Sequence, residues 1–106
     1  NTMLTDVIHY KSEQFFKKNR YIYFDTLYET NKWLVFSVYV TDVSFNYLIT
    51  NFRSDEHYRS FLDTIISKSM FKRDIEVNVT DRILTLSTCS NEFENARTVV
   101  HAKLIQ

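Results

Sequence analysis

Neither glycine nor proline occurs in the 106 residues, although ordinary chains carry ~7% and ~5% of them. Every change of direction must then rest on Asn, Asp and Ser. These residues tolerate left-handed backbone or hydrogen-bond to their own main chain. The same absence excludes a glycine-rich phosphate loop, and with it nucleotide binding of that kind.

Hydrophobic residues make up 44% of the chain and aromatics 16%, enough to fill a core in one domain or part of one. Thirteen basic residues balance thirteen acidic ones. A neutral chain offers no field to gather nucleic acid or an anionic membrane surface. No apolar run approaches the roughly 20 residues of a membrane span, no signal-peptide pattern is present, and the first residue is not Met. A single cysteine rules out an internal disulfide framework and a thiolate zinc cluster.

Met3, Leu4, Val7 and Ile8 fall at helical spacing with Phe15 and Phe16 two turns on, which predicts a helix over 3–17. Thr2 or Thr5 would cap it, and "KKNR" supplies cations and an Asn stop. "YIYFDTLY" and "KWLVFSVYVTDV" read as strands joined by a turn at "ETN". In the second, Trp33, Val35, Ser37 and Tyr39 alternate with Leu34, Phe36, Val38 and Val40. Both faces are apolar, as suits a strand covered on both sides.

"FNYLITNF" reads as a loop or short turn of helix. A second helix follows, capped by Ser54, with Asp55 and Glu56 in its first turn. Tyr58, Phe61, Leu62, Ile65 and Ile66 form its apolar stripe, and Lys68, Lys72 and Arg73 suit its end. "IEVNV", a turn at Thr80–Asp81 and the strands "RILTLSTC" and "RTVVHAKLI" complete the chain. Helices and strands do not alternate, so the expected fold is mixed but mainly β: an antiparallel or mixed barrel with helices outside.

The lone thiol lies where a strand ends. Counted by twos, Ile83, Thr85, Ser87 and Cys89 share a face, and Arg97 opens the next strand after "SNEFENA". A hairpin over that loop sets Cys89 and Arg97 side by side at one rim, ~5 Å apart in backbone terms. A guanidinium there favours thiolate over thiol and can donate to a carbonyl oxygen that becomes an oxyanion. The plainer readings are a thiol serving as a small apolar residue and an arginine merely exposed at a strand end.

A nucleophilic cysteine also needs a general acid or base, normally His. His101 lies four residues beyond Arg97 on the same face, ~13 Å along the strand. His57 reads as a solvated residue beside Glu56, and His9 as partly exposed on the first helix. The pattern therefore supplies a nucleophile and an oxyanion donor but no base. "NVT" at Asn78–Thr80 matches a glycosylation sequon by common accident, and Asp74, Glu76 and Asp81 read as turn and edge charges, not metal ligands.

"TLSTCS" with a downstream "R-x-VVHAKLI" resembles the end of the sortase catalytic domain, whose signature is T-L-x-T-C followed by an Arg on the next strand. The helix between "YLITNF" and "ILTLSTC" and the "VVHAKL" ending are similar to class B. The resemblance spans essentially all 106 residues but corresponds to the C-terminal part of one sortase domain. It implies that the catalytic His, in a Gly-His-Asn stretch, belongs upstream, as do the first barrel strands and the membrane anchor. An incomplete barrel would tend to pair or swap with another chain. Some class B members carry Glu where this chain has Ser90.

The mechanism implied is transpeptidation. The Cys89 thiolate attacks the Thr carbonyl of a C-terminal sorting signal, of the Asn-Pro-Gln-Thr-Asn or Pro-x-Thr-Gly kind. Arg97 stabilises the oxyanion, and a peptidoglycan-precursor amine takes the acyl group. Substrate contacts carried over from the family fall on Tyr47 and Leu48, with Ser87 a further candidate. No cofactor or metal is implied, and the location would be the extracytoplasmic face of the membrane in a Gram-positive bacterium. Two other readings are a peptide-binding remnant without chemistry and a cysteine peptidase without transfer.

Overall fold

The aromatic and β-branched run in the middle of the chain forms the longest strand and the axis of the fold. The computed structural model describes residues 2–25, 27–49 and 51–105, and the side chains of these except 2–5 and 25. In chain order the elements are α1 (Thr2–His9), α2 (Glu13–Lys18), β1 (Tyr21–Asp25), β2 (Thr30–Thr41), α3 (Asp55–Lys68), β3 (Ile83–Cys89) and β4 (Arg97–Leu104). The four strands make one antiparallel sheet in the order β1-β2-β4-β3, curled into an open half barrel. The mainly β fold with outer helices is the one expected.

Residues 33–39 of β2 are all buried, because apolar layers cover both faces of the sheet. On one side Val7, Tyr10 and Phe16 pack against Trp33, Val35, Val38, Val100 and Ala102. On the other, Leu62 and Ile65 of α3 pack with Phe36, Tyr39, Val77 and Val99.

The simple alternation along β2 does not hold. Val35 pairs with Ala102 but Ser37 with His101, so Phe36 is an inserted residue, a β-bulge. The bulge shifts the period: Trp33, Val35 and Val38 share one face, while Phe36 and Tyr39 meet α3. Ser37 also turns to α3, donating from its Oγ to the Ile65 carbonyl at 2.7 Å. The backbone after the bulge is satisfied by the segment following α3. Val38 N donates to Ser69 Oγ at 3.1 Å, and Met70 N donates to the Val38 carbonyl at 2.7 Å. Arg73 Nε donates to the Val35 carbonyl at 2.8 Å, with its guanidinium over the Phe16 ring.

The single helix expected over 3–17 is two helices. At 3.6 residues per turn, Val7 and Phe16 on one straight helix would face about half a turn apart. Both are buried in the same core, which requires the chain to bend between them. Ser12 makes the bend by capping α2, its Oγ accepting from Phe15 N at 3.4 Å. Tyr10 anchors it, donating from its hydroxyl to the Asn19 carbonyl at 2.8 Å. The caps expected at Thr2 and Thr5 rest on side chains outside those described.

The second helix begins as expected, with Ser54 Oγ accepting from His57 N at 3.1 Å. It ends at Lys68, and Lys72 reaches back to donate to the Ile66 carbonyl at 2.9 Å. β1 ends at Asp25 and β2 already begins at Thr30, which pairs with Asp25, so β2 starts within "ETN" and not after it. "IEVNV" runs alongside α3 outside any strand, with Val77 buried and Ile75 and Val79 packed beside it.

Candidate active site

In the β3–β4 hairpin every residue pairs in unbroken register from Ile83↔Lys103 to Cys89↔Arg97. Residues 90–96 close it. Ser90 N donates to the Ala96 carbonyl at 3.0 Å, and Asn95 adopts φ 64°. Asn is the non-glycine residue that enters left-handed backbone most readily, so the turn chemistry forced by the lack of glycine is used here. The register leaves Cys89 exposed at the end of β3, directly opposite Arg97. Arg97 Nη1 donates to the Ala96 carbonyl at 3.1 Å, folding the guanidinium against the rim.

An ion pair fixes the outer side of this loop. Lys11, in the bend between α1 and α2, bonds Glu92. The Lys11 hydrogen bond holds the Glu92 carboxyl down at about 2. Sequence reading had no means of pairing residues 81 positions apart.

On the α3 side of the sheet lies a groove of about 480 Å³, lined by Tyr47, Leu48, Phe52, Phe61, Ile83 and Thr85 among others. Tyr47 and Leu48 come from the loop before α3, and Ile83 and Thr85 from β3. Strand alternation carries that face on through Ser87, which is half-buried, to Cys89. Among the described residues lining it none is charged. The structure thus gathers Tyr47, Leu48, Ser87, Cys89 and Arg97 on one side of the sheet. Phe61 of α3 gives no local sign of lining a groove, because a helical stripe looks the same whether it meets a core or a groove, and Phe52 comes from the segment before that helix.

The histidines lie elsewhere. His101 is fully buried opposite Thr85, at a distance of four strand residues from Cys89, about 13 Å. Its Nε2 meets the Tyr39 hydroxyl and its Nδ1 the Thr85 hydroxyl, each at 2.8 Å. Burial pushes it down to about 3, so it is neutral at ordinary pH. His57 Nδ1 accepts from Arg53 N at 3.0 Å, and His9 is 3.9 Å from Asp6. None of the three is hydrogen-bonded to Cys89. Among the described residues no cluster of three or more His, Cys, Asp or Glu side chains is placed to hold a metal, and no helix is long and apolar enough to cross a membrane.

No family model matches the chain. Individual proteins do. Sortase B of Staphylococcus aureus is 40% identical over 108 residues, covering 100% of this chain and 44% of that protein. The crystal structure of Clostridium perfringens sortase B superposes with a TM-score of 0.90 at 40% identity, over 97% of this chain and 58% of that one. A Staphylococcus aureus sortase B–substrate complex gives 0.87 at 38% identity, over 96% of this chain and 48% of that one. The chain thus spans about half the length of the relatives it matches. On the identity and the fold that it shares with these proteins, the chain belongs to the class B sortases, of which it is a fragment.

Proposed function

We propose that this chain is the C-terminal part of a sortase catalytic domain. It would act in a cysteine transpeptidase that cleaves a sorting signal after Thr and transfers the protein to a cell-wall peptide amine. The observation that carries this reading is the Cys89↔Arg97 pairing, on the same face of β3 as the residues that line an uncharged groove. A relative of the same class has been solved with its substrate.

In this mechanism the Cys89 thiolate attacks the Thr carbonyl of a peptide lying along β3. The Arg97 guanidinium donates to the oxygen as it gains charge. Collapse of the tetrahedral adduct expels the amine of the next residue and leaves a thioester on Cys89. The incoming amine then attacks the thioester and gives up its proton to a general base, which restores the thiolate and forms the new amide. Protonation of the first leaving amine falls to a histidine outside these 106 residues, since His9, His57 and His101 are all engaged elsewhere. Tyr47, Leu48 and Ser87 would bound the peptide. The enzyme would work at the extracytoplasmic face of a Gram-positive membrane.

The test is a product assay on the chain extended upstream through the expected His, with a sorting-signal peptide and a triglycine amine. Ligated peptide is the expected product. Hydrolysis alone, whatever the amine concentration, would favour a peptidase, and binding without turnover would favour a peptide-binding remnant.

A further inference from the structure

Beneath the groove lies a polar chain that this mechanism does not use: Tyr39 on β2, His101 on β4 and Thr85 on β3, joined by two hydrogen bonds of 2.8 Å. Tyr39 is 2% exposed and His101 is fully buried, while Thr85 is half-buried and lines the groove. Three rings, of Phe36, Tyr39 and Phe61, surround the imidazole. A run of polar groups kept in so apolar a place must have its protons accounted for.

The accounting has one solution. Burial raises the Tyr39 phenol and lowers the His101 imidazole, so the first keeps its proton and the second carries a single N–H. Among the described residues the Tyr39 hydroxyl has no hydrogen-bond partner but His101 Nε2. It therefore donates there, because a buried O–H without an acceptor is costly. Nε2 is then an acceptor, so the imidazole proton sits on Nδ1 and is donated to Thr85 Oγ1. The proton of Thr85 is left over, on a side chain that faces the groove.

The geometry points to Thr85 as a substrate-binding donor, its hydroxyl oriented by His101 and Tyr39 toward a neutral carbonyl oxygen of the bound peptide. This rests on the peptide reading above. A neutral acceptor fits because no described residue lining the groove is charged, and a carboxylate there would be buried unpaired. Thr85 lies four residues before Cys89, so its partner sits about four extended residues, ~13 Å, from the scissile carbonyl. Thr85 touches substrate in this scheme, and His101 and Tyr39 are positioning residues.

The experiment uses the chain extended upstream through the expected His, a fluorescein-labelled Asn-Pro-Gln-Thr-Asn peptide and ¹⁵N NMR of the imidazoles. Thr85→Val should weaken binding about tenfold while Thr85→Ser retains it. Tyr39→Phe should weaken it less, and should add nothing on top of Thr85→Val, since both act through one hydroxyl. The His101 signals of the unsubstituted chain should show Nδ1–H. Unchanged affinity in Thr85→Val would overturn the assignment, and additive losses in the double variant would overturn the relay. An Nε2–H tautomer would overturn the relay even if the Tyr39 variant failed to fold. A chain that binds no peptide yet shows Nδ1–H would overturn the peptide reading, and with it the role of Thr85.

Discussion

Cys89 and Arg97 are the residues on which the proposed chemistry turns, and both could be found without coordinates. A strand ending in a thiol, a polar loop and an arginine at the next strand's start fix a hairpin register, and that register is the one observed. If Arg97 stabilises an oxyanion, Arg97→Lys should lower kcat/KM for sorting-signal cleavage roughly 10²-fold in the upstream-extended enzyme, because an ammonium lacks the planar donor fork. Full activity in that variant would remove the role. His101 was legible as a residue but not as an environment, since nothing local in "VVHAKL" says that three aromatic rings close over it. Its consequence is a pH dependence. The unfolded chain takes up a proton near pH 6.5, the usual value for His, whereas the folded one resists until about 3. Stability should therefore fall as pH drops between those values, by up to about 1.4 kcal/mol per pH unit from this group. Chemical denaturation across that range should show the slope, and His101→Gln should flatten it.

At the scale of elements, α3, β3 and β4 were legible because cap, stripe and alternation agree there. Two departures share one cause, namely that core packing overrides local period. Phe36 bulges so that β2 can present Val35 and Val38 to one layer and Phe36 and Tyr39 to the other. Ser12 breaks the first helix so that Phe16 can join Val7. Neither demand is written in neighbouring residues. The same bend aims Lys11 at Glu92 and ties the loop beside Cys89 to the helices. A partly exposed ion pair contributes under about 1 kcal/mol, too little to govern global stability but enough to restrain a loop. Glu92→Gln should therefore raise amide hydrogen exchange across residues 90–96 while leaving the melting temperature nearly unchanged. Glu92 titrates low in the folded chain, so the tether holds above about pH 4.3, the ordinary Glu value, and is lost as pH falls toward 2. Exchange unaltered by the substitution would show that the pair restrains nothing.

For the whole molecule, β1 and β3 are the outer strands of a sheet curled only partway round, and Tyr23 and Phe24 lie exposed along β1. Unpaired strand edges beside exposed aromatics favour association. Sedimentation velocity should show the 106-residue chain forming dimers or larger species as concentration rises. A monomer at every concentration, with a sharp cooperative melt, would count against the proposal that its barrel is completed by other sequence. The central claim is that Cys89 is the nucleophile, and intact-mass spectrometry tests it most directly. The upstream-extended protein, incubated with a sorting-signal peptide and no amine, should gain the mass of the acyl fragment, mapped to Cys89 and absent from Cys89→Ala. Cleavage of the peptide by the Cys89→Ala variant, or turnover with no adduct trapped on the thiol, would contradict it.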